Sequence, residues 1–143
     1  ASEFWVFVNM LQAVLMSIPA INVFTHGTHF TVAHAMGTTI GINTMILLAA
    51  FHYFFHMQES ARGAVWSARS FWLVQASLIV FWLAFVLMGL SKALWYMSGT
   101  TQTHSSWLDS VSWLMIVVFV AGLGIAIGLI TITRKFLRKG SYV

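Results

Sequence analysis

The chain has 143 residues, 59% of them apolar and only 7% charged, with a mean hydropathy of +0.86. A water-soluble domain carries roughly 25% charged residues, so this composition excludes a soluble globule, a disordered chain and a nucleic-acid binder. From Phe4 to Gln58 there is no Lys, Arg, Asp or Glu, a run longer than two bilayer crossings of about 20 residues each.

The first residues, Ala1-Ser2-Glu3, show neither a basic n-region nor a cleavage site, so no signal peptide is expected. The missing initiator Met fits a processed product or a part of a larger polypeptide. Span one is predicted from about Phe4 to Phe24, with the only proline, Pro19, near its far end. Proline is tolerated there because neighbouring helices can satisfy the freed carbonyl. Span two is predicted from about Phe30 to Phe55, followed by a polar connection marked by Glu59, Arg62 and Arg69. Span three runs from Phe71 to Met97, with Lys92 near its end. The stretch from Ser98 to Ser106 is a polar turn, and span four runs from about Ser110 to Thr133. The expected fold is an all-α membrane protein of four transmembrane helices, a single membrane domain over residues 1–143. No internal repeat is visible.

The basic residues predict the topology. With alternating spans, Arg62, Arg69, Arg134, Lys135, Arg138 and Lys139 share one face, and only Lys92 lies near the other. The positive-inside rule assigns the basic face to the cytoplasm, with both termini. The segment from Asn22 to His29 and the turn from Ser98 to Ser106 then face the periplasm or an equivalent outer compartment. The chain is expected in an inner or cytoplasmic membrane. It has no cysteine, which excludes disulfides and thiolate metal sites.

Small residues recur at helical spacing: Ala33, Gly37 and Gly41 in span two, and Gly124 and Gly128 in span four. Such rows allow close helix packing in lipid. In span two they are also compatible with close approach of a flat cofactor. The six histidines are His26, His29, His34, His52, His56 and His104. His104 lies in the polar turn and reads as solvated. His52 and His56 are four apart on one helical face, a metal-binding spacing. They sit in an aromatic belt with no third ligand evident. His34 lies about a turn inside span two, where an imidazole needs a partner. Met36 follows two residues later. At about 100° per residue the two point about 200° apart, so they cannot share one metal. They could each serve a different one, since imidazole and thioether both ligate heme iron. On spacing alone, a hydrogen-bonded packing histidine is the better fit for His34.

The segment Thr25-His-Gly-Thr28, continued by Thr31-Val-Ala-His34-Ala-Met36, resembles the helix-ten motif of the heme–copper oxidase superfamily. In that family one ligand on this helix holds the high-spin catalytic heme. The next, one residue beyond, holds the low-spin electron-transfer heme. A further histidine lies eight residues before the first, near the heme propionates, and His26 precedes His34 by that interval. Gly27 and Ala35 are similar to the nitric oxide reductase branch, not to oxygen reductases. The resemblance implies the last four helices of a twelve-helix bundle, the C-terminal part of a nitric oxide reductase catalytic subunit. It is specific only over residues 25–41.

The chain departs from the family at Met36, where histidine is usual. The expectation is a high-potential low-spin heme, because thioether ligation raises the potential. The family's other low-spin ligand, its non-heme metal ligands and its functional glutamates lie on earlier helices, outside this chain. The resemblance therefore implies two b-type hemes, with His34 and Met36 as axial ligands, and a non-heme metal, expected to be iron, held by the missing part. The implied reaction reduces two nitric oxide molecules to nitrous oxide and water. Electrons come from a cytochrome c-type subunit or a quinol. His26 would contact a propionate or orient the loop, Gly37 and Gly41 would allow heme or helix approach, and Lys92 would neutralise a propionate or snorkel to the interface. The implied partners are a chain or segment with the remaining transmembrane helices, the electron donor and membrane lipid. An oxygen-reductase fragment and a non-catalytic b-type cytochrome subunit are the competing expectations. The second is hard to build, because spans three and four carry no intramembrane histidine.

Overall fold

The computed structural model describes residues 1–54, 61–99, 101 and 103–140. Among them every regular element is helical. In chain order these are α1 (Ser2–Ser17), α2 (Pro19–Thr25), α3 (His29–Met36), a π-helical segment (Gly37–Thr44), α4 (Met45–Phe54), α5 (Ala61–Met97) and α6 (His104–Gly140). Three helical stretches are long and apolar enough to cross a membrane: His29–Phe54, Ala68–Met97 and His104–Arg134. The pair α1 and α2 makes a fourth only if its two bent parts count as one span.

That pair bends by 100°. Proline disfavours helical geometry in the residue before it and has no N–H to donate. Ile18 is accordingly extended, at φ −76 and ψ 116, and Pro19 opens a new helix. The expected span over residues 4–24 is thus broken near its end, where tolerance of proline was expected. Span two starts within one residue of expectation and is helical to Phe54. Its last expected residue, Phe55, lies outside the described residues, as do His56 and Glu59. The third and fourth helices extend beyond 71–97 and 110–133 at both or one of their ends.

Two clusters form the core. Trp5, Met45, Val74, Leu78 and Ile125 join the first, second, third and fourth helical layers. Ala84, Met88, Trp107, Val111 and Leu114 zip α5 to α6 toward the Ser98 turn. Glycines admit the close contacts. A Cβ on Gly41 would strike the Trp5 indole, and one on Gly89 would strike the Phe30 backbone. On α6, Gly124 faces Ser77 and Gly128 faces Val74. The small-residue rows therefore lie in helix–helix seams, where backbones approach without a side chain between them.

Buried polar groups add direction to these contacts. Trp5 Nε1 donates to Gln75 Oε1 at 3.0 Å, and Gln75 Nε2 donates to Met45 Sδ at 3.0 Å. Trp82 Nε1 donates to Gln12 Oε1 at 3.2 Å, and Gln12 Nε2 donates to the Phe30 carbonyl at 2.8 Å. Each relay ties three helices. An unpaired carboxamide inside such a seam would carry a desolvation cost, so the pairs fix one register.

Candidate functional site

The segment from Thr25 to Met36 is built around a turn. Gly27 adopts φ +68, the left-handed region open to glycine. The Thr25 carbonyl gathers three donors: the Thr28 amide at 3.2 Å, Thr28 Oγ1 at 2.7 Å and Thr31 Oγ1 at 3.3 Å. Thr28 Oγ1 also accepts from the Phe30 amide at 3.2 Å and so caps α3. Threonine at 25 and 28 with glycine at 27 is thus a turn-and-cap device. Together with the Gln12 bond to Phe30, it sets the first turn of the helix that carries His34.

His34 is half-buried, one turn after Phe30. Its Nδ1 is sealed from solvent and has no hydrogen-bond partner. Thr38 Oγ1 donates to the His34 carbonyl at 3.1 Å, where the α-helix passes into the π segment. Single π turns inside α-helices occur often at functional sites, because they rephase the side chains that follow. Met36 is also half-buried, and Ala35 between the two is exposed. The donor types suit a heme iron: a half-buried imidazole with one nitrogen unpartnered, and a thioether two residues on.

The other predicted residues divide. His26 is exposed in the turn before Gly27. Gly37 and Gly41 face α1. A Cβ on Gly37 would lie 2.6 Å from Asn9 Nδ2, and Gly41 lies against Trp5. That surface is filled by side chains of this chain, which makes it a helix contact. Lys92 is half-buried, with Nζ 5.8 Å from the Tyr96 ring centre and 5.7 Å from that of Trp107. The ammonium is held by aromatic faces at the Ser98 end of α5. His104 is exposed and lies beside Trp95 and Trp107, and His52 is exposed on α4. Among the described residues no three His, Cys, Asp or Glu side chains converge on a point that could hold a metal ion.

Two residues escaped the sequence reading. His29 stacks on Phe85 at 5.9 Å between ring centres, with its Nδ1 buried and unpaired. Asn9 is 4% exposed, and neither its amide nitrogen nor its oxygen has a partner. For Asn9 the available signal was its four-residue spacing from Trp5, which puts both on one face of α1. Comparison with known proteins finds no family model, curated protein or solved structure that matches this chain.

Proposed function

We propose that this chain is the heme-ligating part of a membrane nitric oxide reductase, the last four helices of a larger bundle completed by helices from elsewhere. The observation that carries the reading is His34: an imidazole within an apolar span, six residues past a dedicated cap, with one nitrogen buried and partnerless. Met36 two residues on supports it. The heme–copper oxidase-like motif over Thr25 to Met36 supplies the chemistry.

Bound heme would supply the redox step, in which two NO, two electrons and two protons give N2O and water. His34 would hold the heme on the catalytic side and Met36 the heme on the electron-entry side. Helix α3 would hold them a fixed two residues apart. The Thr28 cap and the Gln12–Phe30 bond would keep the first turn of α3 from shifting. Lys92 would offer a positive charge near the same end of the bundle. Its aromatic contacts favour a role at the interface over one beside a propionate. A non-heme iron would have to draw its ligands from partner helices. The basic residues Arg62, Arg69 and Arg134 to Lys139 support cytoplasmic termini, which would turn His34 toward the outer side.

The test is heme content and gas turnover of the complex purified from its native membrane. Wild-type complex is expected to show a Soret band from two hemes and to consume NO faster than O2. His34→Leu is expected to lose the high-spin heme signature and to bring NO consumption to background. Preferential O2 consumption would move the assignment to an oxygen reductase. A complex without heme would overturn it.

A further inference from the structure

Span two has a face that the described residues leave uncovered. Ala35, Thr39 and Asn43 are all exposed, at four-residue spacing along α3 and the π segment. Asn43 lies 14 residues after His29 and 11 before Phe54, the ends of the span. At about 1.5 Å of rise per residue this is within a few ångströms of mid-bilayer. Among the described residues neither the Asn43 carboxamide nor the Thr39 hydroxyl has a hydrogen-bond partner. Only the Thr39 carbonyl is engaged, by Thr44 Oγ1 at 2.9 Å.

The outward face of α6 handles the same environment differently. Its exposed threonines fold back on their own helix: Thr131 Oγ1 donates to the Ile127 carbonyl at 2.7 Å, and Thr133 Oγ1 to the Leu129 carbonyl at 2.9 Å. Ile116, Phe119, Val120, Leu123 and Ile127 cover the rest. That face suits acyl chains. A primary amide has two N–H donors and a carbonyl acceptor, and hydrocarbon can satisfy none of them. Polar side chains at mid-depth in membrane helices pair across helix seams, and small residues beside them let backbones approach.

We propose that the Ala35–Thr39–Asn43 face is the docking surface for a transmembrane helix from outside these 143 residues, one that brings a hydrogen-bonding side chain (Ser, Thr, Asn, Gln or a protonated carboxyl) to the level of Asn43. The polar face demands a polar partner, which argues against lipid. Taking the helix from another segment and not from a second copy rests on the reading above, which already surrounds span two with foreign helices. Ala35 gives the close approach, and Asn43 sets the depth at which the two helices register.

The chain has no cysteine, so single cysteines report cleanly once the label signal of the unmodified complex is subtracted. A nitroxide is placed at Asn43→Cys, or at Val120→Cys on α6, in the intact complex in bilayers. Collision with dissolved O2 is expected to be at least about threefold weaker at 43 than at 120. Asn43→Leu is expected to lower co-purification of the partner segment several-fold, with Asn43→Gln restoring part of it. Equal O2 accessibility at the two sites would mean that lipid covers this face and would overturn the proposal. Spin–spin broadening between labels at 43 would identify a second copy and overturn it also. The Soret band of the same preparation separates the two claims: a shielded label without heme leaves the docking face standing and removes the reductase.

Discussion

Spans two and four are both long and apolar enough to cross a membrane, with mean hydropathy 1.4 and 2.7, but they are built for different neighbours. Span four is one unbroken α-helix, and span two changes helical type midway, at Gly37. Span four packs one side on α5 through glycines and presents large aliphatic and aromatic side chains elsewhere. Span two packs against α1, α2 and α5, and its open side sets Ala35, Thr39 and Asn43 among the exposed Val32, Ile46 and Leu47. Its buried histidine nitrogens at His29 and His34 lack partners. In a membrane, unsatisfied polar groups are expensive, so they cluster where something else is meant to bind. Passing as a membrane helix by length and hydropathy does not separate a lipid-facing helix from a site-bearing one. The pairing state of the polar groups does.

The sharpest break of that contrast is at the glycines. Gly41→Ala puts a Cβ into the Trp5 indole and should destabilise the fold by about 1–3 kcal/mol through overpacking. Gly122 on α6 has only Phe81 Cε2 near its added Cβ, at 3.6 Å. Gly122→Ala should be neutral, or stabilising by up to about 0.5–1 kcal/mol through helix propensity. Thermal melts of the two variants in one detergent check the pair. Similar losses at both positions would erase the distinction.

A comparable effect is expected at the relays. Gln75→Leu removes the acceptor of Trp5 Nε1 and leaves that indole N–H buried, which should cost about 1–3 kcal/mol. Smaller is Thr28→Ala, which removes the cap of α3 at about 1 kcal/mol. Thr28→Ala should also broaden the heme spectrum, because the first turn before His34 loosens. Gln75→Leu should leave that spectrum alone. Chemical denaturation read by Trp fluorescence, beside the Soret band, distinguishes the two outcomes.

Much of this organisation was legible in the sequence. The charge-free run and the polar breaks mark the membrane helices, and the left-handed requirement at Gly27 with threonines on both sides marks a turn and cap. The break at Pro19 was legible as proline chemistry, but its size was not. Whether a pre-proline residue bends a span gently or by 100° depends on what α2 packs against, and that is α5, far along the chain. The π segment was also hidden. Gly37-Thr-Thr-Ile-Gly-Ile-Asn-Thr44 has no periodicity that tells five-residue from four-residue hydrogen bonding. The partners of Trp5 and Gln12 lie 70 residues away, at Gln75 and Trp82, so no local pattern announces them. For the candidate site, the motif located His34 and Met36. Only the coordinates place Gly37 and Gly41 against α1 and leave Ala35, Thr39 and Asn43 uncovered.

The measurement that bears most directly on span two as a wall between two hemes is an optical redox titration of the intact complex, wild type beside Met36→His. Thioether ligation favours ferrous iron, and imidazole favours it less. The account predicts two heme transitions in the wild type. In Met36→His the low-spin transition moves to lower potential with a bis-histidine spectrum, and the His34 heme keeps its own. A low-spin heme that is already bis-histidine in the wild type, or a potential that Met36→His leaves unmoved, would contradict it.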